Sequence, residues 1–218
     1  MNKKGFIFDL DGVIVDTAHF HFLAWKKTAA ELGFELTEEL NEKLKGVSRI
    51  DSLQKILDWA NTSIDEERFD KLTSDKNEDY LTFVDQMTAK DILPGVEEFI
   101  LLLKEKGYPI ALGSASKNAP RILSKVGLLE LFDTIVDGNS VSKAKPDPEV
   151  FLIAAKNLNV SPQECIVFED SQAGIAAANI AGMTSVGLGE PAVLADAHEV
   201  FSSFTEIELD FIEKLITT

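Results

Sequence analysis

The chain has 218 residues, of which 45% are hydrophobic and 27% are charged, a composition typical of a globular protein with a sizeable core. Its 21 Lys and Arg residues stand against 37 Asp and Glu residues, which gives a formal net charge of -16. This charge opposes binding to nucleic acid or to an acidic membrane surface. No apolar stretch approaches the roughly 20 residues of a membrane span. Asp9 and Asp11 interrupt the apolar segment that a leader peptide would need, and the single Cys165 excludes an internal disulfide. We therefore expect a cytoplasmic protein.

Short apolar runs recur along the chain and are bounded by Gly, Pro or acidic residues, as buried strands are. These runs lie at 5–9, 109–114, 134–138, 165–170 and 184–189. Helical apolar patterns lie between most of them, and the last of these helices would begin after Ser171 and stop at Gly182. Strands that alternate with helices predict an α/β fold with a Rossmann-like parallel sheet and helices on both faces. Cys165, within one of the runs, is expected to be a small buried side chain.

One long segment, from about residue 18 to about residue 86, breaks this alternation because it carries helical patterns and no clear strand. Its apolar stripes lie at 22–32, 53–60 and 69–83, and Ser48 would open the second helix. An all-helical insert after the first strand predicts a small cap domain at 17–89. The core domain would then consist of 1–16 and 90–218, with hinges near 15–17 and 89–95.

Polar side chains follow three of the predicted strands at the point where each strand ends. They are Asp9 and Asp11, then Ser114 and Ser116, then Glu169 and Asp170, and Lys145 lies in a loop before Pro146. Ligands of open parallel sheets bind at the carboxyl ends of strands, so these groups should meet at one edge. Carboxylates, a hydroxyl and a lysine together suit Mg²⁺ and a phosphate group. An aspartate can attack phosphorus as a nucleophile, and a second one two residues further on can act as general acid and base.

Four short motifs in this order, FDLDG at 8–12, Ser114, Lys145 with Pro146, and EDS at 169–171, resemble those of the haloacid-dehalogenase superfamily of phosphotransferases. The resemblance covers the whole chain, because the helical insert occupies the place of that superfamily's cap domain. It implies that Asp9 is the nucleophile and that Asp11 is the general acid/base. It also implies Mg²⁺ bound by Asp9, the backbone carbonyl of Asp11 and Asp170, with Glu169 nearby or ligating. Ser114 would hydrogen-bond the transferring phosphoryl group, and Lys145 would offset its charge.

Further cations lie at a place where an anion can bind. The stretch LKGVSR at 44–49 brings Lys45, Gly46 and Arg49 to the start of a helix, where an anion can bind; solvated cations at an ordinary helix start are the alternative. The stretch GSASKN at 113–118 adds Ser116, Lys117 and Asn118. Lys76 lies on the apolar stripe of its own helix, so it either extends to solvent or faces the cleft.

These segments, together with 21–25, resemble the hexose-phosphate mutases of the same superfamily. The resemblance implies interconversion of β-D-glucose 1-phosphate and glucose 6-phosphate through an aspartyl-phosphate and glucose 1,6-bisphosphate. The residues that would hold the non-transferring phosphate are Arg49, Ser116, Lys117 and Asn118. Gly46 and Ser52 would lie along the sugar with Lys76 nearby. His21 and Lys45 would couple cap closure to Asp11, and Thr17 would influence Asp11 from the hinge.

Other functions remain to be distinguished. A phosphatase of the same fold would use Asp9 and Asp11 on a small sugar phosphate or pyrophosphate, with water as the acceptor. A phosphonate hydrolase fits less well, because that branch lacks an acid/base aspartate at the position of Asp11. A non-catalytic sugar-phosphate sensor is disfavoured because all the predicted catalytic side chains are present. The sequence leaves the sugar, the anomer and the oligomeric state open, and a monomer is our expectation.

Overall fold

The structure is a computed structural model that describes residues 4–208, 211 and 213. Within these residues, six strands form one parallel sheet in the order β3-β2-β1-β4-β5-β6. The strands are β1 Gly5–Phe8, β2 Ile110–Gly113, β3 Thr134–Val136, β4 Cys165–Glu169, β5 Thr184–Leu188 and β6 Glu199–Phe201. The predicted parallel α/β fold is confirmed, and β6 is a strand that the apolar runs did not predict. Because the strand order reverses between β1 and β4, a ligand crevice is expected at their carboxyl ends.

Eight α-helices accompany the sheet in the described part of the chain. They are α1 Ala18–Glu31, α2 Glu38–Glu42, α3 Arg49–Trp59, α4 Glu66–Val84, α5 Val96–Glu105, α6 Ala119–Val126, α7 Glu149–Leu158 and α8 Gln172–Ile180. Ser48 caps α3 by accepting from the Asp51 amide, and Ser171 caps α8 by accepting from the Gly174 amide, as predicted. The short helix α2 was not predicted. None of the described helices has the length and apolarity needed to span a membrane.

Both faces of the sheet are covered, which explains why its central strands are continuously apolar. On one face, Phe8 stacks against Phe168 of β4, with ring centroids 4.8 Å apart, and both pack with Phe99 of α5. On the other face, Ile7 and Cys165 pack with residues of α7 and α8. Cys165 is fully buried, as predicted. Burial on both faces holds the carboxyl ends of β1 and β4 side by side.

The four helices between β1 and α5 have an apolar cluster of their own. Its buried members are Trp25, Ala29, Leu36, Leu44, Leu53, Ile56, Leu57 and Leu72. The two segments that connect this insert to the sheet region run next to each other. Val15 forms an antiparallel bridge with Ile92, and the Leu93 amide donates to the Ile14 carbonyl at 2.9 Å. Parts of the predicted core domain, at 1–3, 209–210, 212 and 214–218, lie outside the described residues.

Candidate active site

The aspartate pair follows β1 directly. The amide of Asp9 donates to the Phe168 carbonyl at 3.0 Å, which ties the end of β1 to β4. The chain then turns through Gly12, whose φ is +77°, a conformation that glycine adopts without strain. A Cβ at this position would lie 2.1 Å from Asp170 Oδ2, so only glycine allows the turn to pass the Asp170 carboxylate. The turn therefore brings the aspartate pair of β1 against the acid that follows β4.

Lys145, in the loop before α7, connects the carboxyl ends of β1 and β4. Its Nζ donates to Asp9 Oδ1 at 2.9 Å and to Glu169 Oε1 at 2.5 Å, and all three side chains are buried. Burial opposes the charge of Lys145, but the Asp9 and Glu169 carboxylates raise its pKa above its ordinary value. Lys145 is therefore a fixed positive charge beside Asp9.

A cluster of carboxylates at this edge fits a divalent cation. Asp9, Glu169 and Asp170 each present an oxygen within 4.8 Å of the others. Burial raises the pKa of Asp9 to about 7, although Lys145 works in the opposite direction. Burial, reinforced by the charges of Glu169 and Asp9, raises the pKa of Asp170 well above its ordinary value. The raised pKa values mean that Lys145 alone does not stabilise the fully ionised cluster. A divalent cation would do so, and oxygen ligands of this kind are those that Mg²⁺ prefers.

The two neighbouring acids differ in their hydrogen bonds. Glu169 is fully buried, and while Oε1 accepts from Lys145, Oε2 accepts from the Ser171 amide at 2.8 Å and from its hydroxyl at 2.9 Å. Asp170 accepts no hydrogen bond from a described residue, and Lys45 Nζ lies 3.6 Å from its Oδ2. Asp9 and Asp170 therefore have oxygens free for a cation, whereas Glu169 is suited to holding Lys145 and the start of α8 in place.

Ser114 directly follows β2 and begins a turn towards α6. Its side chain is buried, its amide donates to the Val136 carbonyl at 2.9 Å, and its Oγ accepts from the Ser116 amide at 3.1 Å. Ser116 Oγ accepts in turn from the Asn118 amide at 3.3 Å. The Asn118 side chain donates to Asn77 Oδ1 of α4 at 2.9 Å. This turn is thereby connected to the helical insert across the cleft.

Asp11 is surrounded by groups from α1 and α4. Its Oδ1 accepts a hydrogen bond from Thr17 Oγ1 and lies 3.6 Å from His21 Nε2. Lys76 Nζ lies 3.0 Å from His21 Nδ1. Burial and the charge of Lys76 lower the pKa of His21. A carboxylate only accepts, so Nε2 carries the proton that faces Asp11. Nδ1 of the neutral ring then accepts from Lys76 Nζ, which has N–H groups in either charge state.

These neighbours also act on the charge of Asp11. Burial by itself would raise the pKa of Asp11. The hydrogen-bonding groups of His21 and Thr17 outweigh burial and lower this pKa below its ordinary value. Asp11 is therefore ionised in this state and ready to accept a proton.

Lys76 faces the cleft and does not extend to solvent, which decides between the two possibilities left by the sequence. It is 3% exposed, and its Nζ lies 4.7 Å from the Trp25 ring centroid and 4.8 Å from that of Tyr80. Burial, followed by repulsion from Arg49, lowers the pKa of Lys76 to about 7. The buried amine can therefore bind a proton when an anion enters the cleft.

The predicted residues converge on one cleft of about 580 Å³ between the sheet edge and the helical insert. Every predicted site residue lines it except Thr17 and Glu169, which are fully buried behind the lining. Sequence reasoning did not assign a role to several other lining residues, namely Asn41, Thr73, Asn77, Tyr80, Ser142 and Lys143. The spacing of four residues between Lys76 and Tyr80 could have indicated that both face the cleft.

Residues 3–182 match the sequence model of the haloacid dehalogenase-like hydrolases, and the chain belongs to this family. Within it, β-phosphoglucomutase of Bacillus subtilis is 40% identical over 97% of this chain and 94% of its own length. The crystal structure of β-phosphoglucomutase from Clostridium difficile superposes with a TM-score of 0.95 at 42% identity, covering 100% of this chain and 98% of that one. A phosphorylated carbohydrates phosphatase of Thermotoga maritima is 31% identical over 83% of this chain and 82% of its own. The chain is thus more similar to these mutases than to this phosphatase.

Proposed function

We propose that this protein is a mutase that interconverts β-D-glucose 1-phosphate and glucose 6-phosphate through an aspartyl-phosphate and glucose 1,6-bisphosphate. The observation that carries the proposal is a single cleft with two places suited to phosphate. One is formed by Asp9, Ser114 and Lys145 at the sheet edge. The other is formed by Arg49 with the Ser116–Asn118 turn. The 40% identity to a β-phosphoglucomutase supports the same reading.

In the proposed cycle, Asp9 carries a phosphoryl group when β-glucose 1-phosphate binds. The sugar 6-hydroxyl attacks phosphorus, Asp11 takes the hydroxyl proton, and the bond from Asp9 to phosphorus breaks to leave the bisphosphate. The bisphosphate reorients, and Asp9 attacks its 1-phosphate. Asp11 then returns the proton to the sugar O1 as that bond breaks, and glucose 6-phosphate leaves. Lys145 and Ser114 stabilise the transferring group by charge and hydrogen bonding.

Asp9 and Asp170 are the side chains proposed to hold Mg²⁺, with the backbone carbonyl of Asp11. When bound, the ion would neutralise charge on the carboxylates and on the transferring phosphoryl group. Glu169 would support the site by fixing Lys145 and Ser171, as its hydrogen bonds indicate.

The distal phosphate would be held by Arg49, Ser116, Lys117 and Asn118. Arg49 is half-buried, lines the cleft and forms no ion pair with a carboxylate in the described chain, so its guanidinium is available to an anion. The N-terminus of α6 begins immediately after Asn118 and favours negative charge. Gly46, Ser52 and Lys76 would lie along the sugar between the two phosphates.

Residues 17–89 are proposed to act as a cap domain that closes over a core of 1–16 and 90–218. Two observations support this division: the insert has its own apolar cluster, and its connecting segments lie side by side as a double hinge. Closure would exclude water from the aspartyl-phosphate and bring His21, Thr17 and Lys45 to the acids of the core. A cytoplasmic monomer acting on a small sugar phosphate completes the proposal.

A phosphatase acting on a small sugar phosphate or pyrophosphate is the second candidate, favoured by the 31% identity to the Thermotoga maritima phosphatase. The two functions differ in the acceptor. Purified protein is given Mg²⁺, β-glucose 1-phosphate and a trace of glucose 1,6-bisphosphate, and both glucose 6-phosphate and inorganic phosphate are measured. Glucose 6-phosphate without matching inorganic phosphate supports the mutase, whereas mainly inorganic phosphate overturns it. The Asp9→Asn variant should lose both reactions.

A further inference from the structure

Tyr80 has a buried hydroxyl with no hydrogen bond, beside the proposed acid/base. The residue is 1% exposed, and its hydroxyl finds no partner among the described residues. His21 Nε2 is the only other buried side-chain polar atom of the described chain in this condition. A buried polar group without a partner costs free energy, so such groups are rare in folded proteins. Two of them in one cleft indicate that their hydrogen bonds form only when the site is occupied.

Both atoms belong to the surroundings of Asp11. The rings of Tyr80 and His21 are 4.2 Å apart, and His21 Nε2 lies 3.6 Å from Asp11 Oδ1. Burial and the negative charge of Asp11 raise the pKa of Tyr80 well above its ordinary value, so the phenol keeps its proton as a donor. Thr17 donates to Oδ1, and no described residue donates a hydrogen bond to Oδ2.

We infer that Tyr80 is a positioning residue for the general acid/base, whose hydroxyl donates to the Asp11 carboxylate when a sugar phosphate fills the cleft. This inference rests on the proposed function. With Thr17 and His21, Tyr80 would complete a set of three donors that fixes the direction of the carboxylate towards the sugar oxygen. The hydroxyl itself does not transfer a proton to the sugar.

The ring of Tyr80 has a separate structural role, because it packs on His21 and lies under Lys76 Nζ. The Tyr80→Phe variant keeps these ring contacts and removes only the hydroxyl. Deleting an unbonded buried hydroxyl leaves the melting temperature unchanged or raises it, since no hydrogen bond is lost in the free protein. A loss of activity in this variant therefore does not arise from unfolding.

The test compares two reactions of the wild type, Tyr80→Phe and Tyr108→Phe. Tyr108 is the matched control, because it packs edge-on against Phe6 in the sheet region, outside the cleft. In the mutase reaction, Tyr80→Phe should lose about tenfold to a hundredfold in kcat with KM nearly unchanged, since a misplaced catalytic group costs about that much. Phosphorylation of Asp9 by acetyl phosphate should be unaffected, because the acetate that leaves needs no proton from Asp11. Tyr108→Phe should match the wild type in both reactions.

Three results would overturn the inference: an unchanged kcat in Tyr80→Phe, a change confined to KM, or an equal loss in the acetyl phosphate reaction. A change confined to KM would make the hydroxyl a substrate ligand. If the wild type releases only inorganic phosphate, the proposed mutase function is wrong. The kcat comparison is then made on that phosphatase reaction, in which Asp11 still protonates the leaving sugar oxygen, so the two failures are distinguishable.

Discussion

Gly46, in the turn between α2 and α3, lies directly against Ser171 at the start of α8. Its φ is +69°, and a Cβ at this position would lie 2.5 Å from Ser171 Oγ. Ser171 donates in turn to Glu169, which accepts from Lys145. The turn that carries Lys45 and Arg49 therefore meets the proposed catalytic edge through backbone alone, with no room for a side chain.

Replacing Gly46 with Ala should impair activity more than stability. The left-handed backbone costs a non-glycine residue about 1–2 kcal/mol, and the added methyl group would also hold the turn away from Ser171. We expect kcat/KM for the mutase reaction to fall at least about tenfold, since displacing a substrate-binding residue such as Arg49 has a cost of that size. Steady-state kinetics and thermal denaturation of the same preparations measure the two effects.

Gly33→Ala is the matched control for this prediction. Gly33 has a φ of +72° and lies in the same helical insert, but a Cβ there would meet nothing within 4 Å. The free energy of unfolding of Gly33→Ala should fall by about as much as that of Gly46→Ala, while its kcat/KM stays at the wild-type value. Equal kcat/KM values for the two variants would show that the contact between Gly46 and Ser171 does not matter for catalysis.

Asp170→Asn should remove the stabilisation of the protein by Mg²⁺. At a concentration about 100 times Kd, a ligand that binds only the folded state raises the free energy of unfolding by about 2.7 kcal/mol. The metal-free variant should not be less stable than the wild type, because burial already disfavours the charge of Asp170. Thermal denaturation with and without Mg²⁺ measures both effects. Asp16→Asn, at an exposed aspartate, is the control variant. If Mg²⁺ stabilises Asp170→Asn as much as it stabilises the wild type, the metal assignment is wrong.

Much of the sheet and of its polar edge could be predicted from the sequence. The central strands are buried on both faces, so they stand out as continuous apolar runs, and the residues after them mark the carboxyl edge. Two elements were not predicted. The edge strand β6 begins at exposed Glu199 and is only partly buried, so it does not stand out as an apolar run as β3 does. The helix α2 has five residues, too few to show a helical period.

The buried surroundings of the cleft were harder to predict than the residues at the carboxyl edge of the sheet. Thr17 and Glu169 are fully buried behind the residues that line the cleft. Their positions depend on packing between elements that are far apart in the chain. The side chain of Lys76 had two possible directions, and the rings of Trp25 and Tyr80 that hold it in the cleft come from two different helices. The unbonded hydroxyl of Tyr80 has no sequence signature, since tyrosine on an apolar helical stripe is ordinary.

Asp11→Asn should separate proton transfer from phosphoryl transfer. An amide cannot exchange a proton with the sugar oxygen, so kcat of the mutase reaction should fall by roughly 10² to 10⁴, the usual contribution of a general acid or base. Phosphorylation of Asp9 by acetyl phosphate should persist, whereas Asp9→Asn should lose that reaction too. Mass spectrometry of the phosphorylated protein and a coupled assay for glucose 6-phosphate measure the two steps. An unchanged mutase rate would refute the acid/base role of Asp11.

Lys76 should make the stability of the ligand-free protein rise with pH. Its pKa is about 7 in the folded protein, where burial disfavours the charge, against an ordinary value of 10.5. Between these two values the unfolded chain binds a proton that the folded protein does not, so raising the pH favours folding. Below about pH 7 both states are protonated and this contribution is constant.

The Lys76→Met variant lacks this titration. The free energy of unfolding of the wild type minus that of Lys76→Met should therefore increase from pH 7 upwards, with a slope approaching about 1.4 kcal/mol per pH unit. Urea denaturation at a series of pH values gives this difference, and Lys156→Met, at an exposed lysine, controls for the loss of a charge. A difference that stays constant between pH 7 and pH 9 would mean that Lys76 remains charged in the empty cleft. In that case the amine would not need to take up a proton when a phosphate binds.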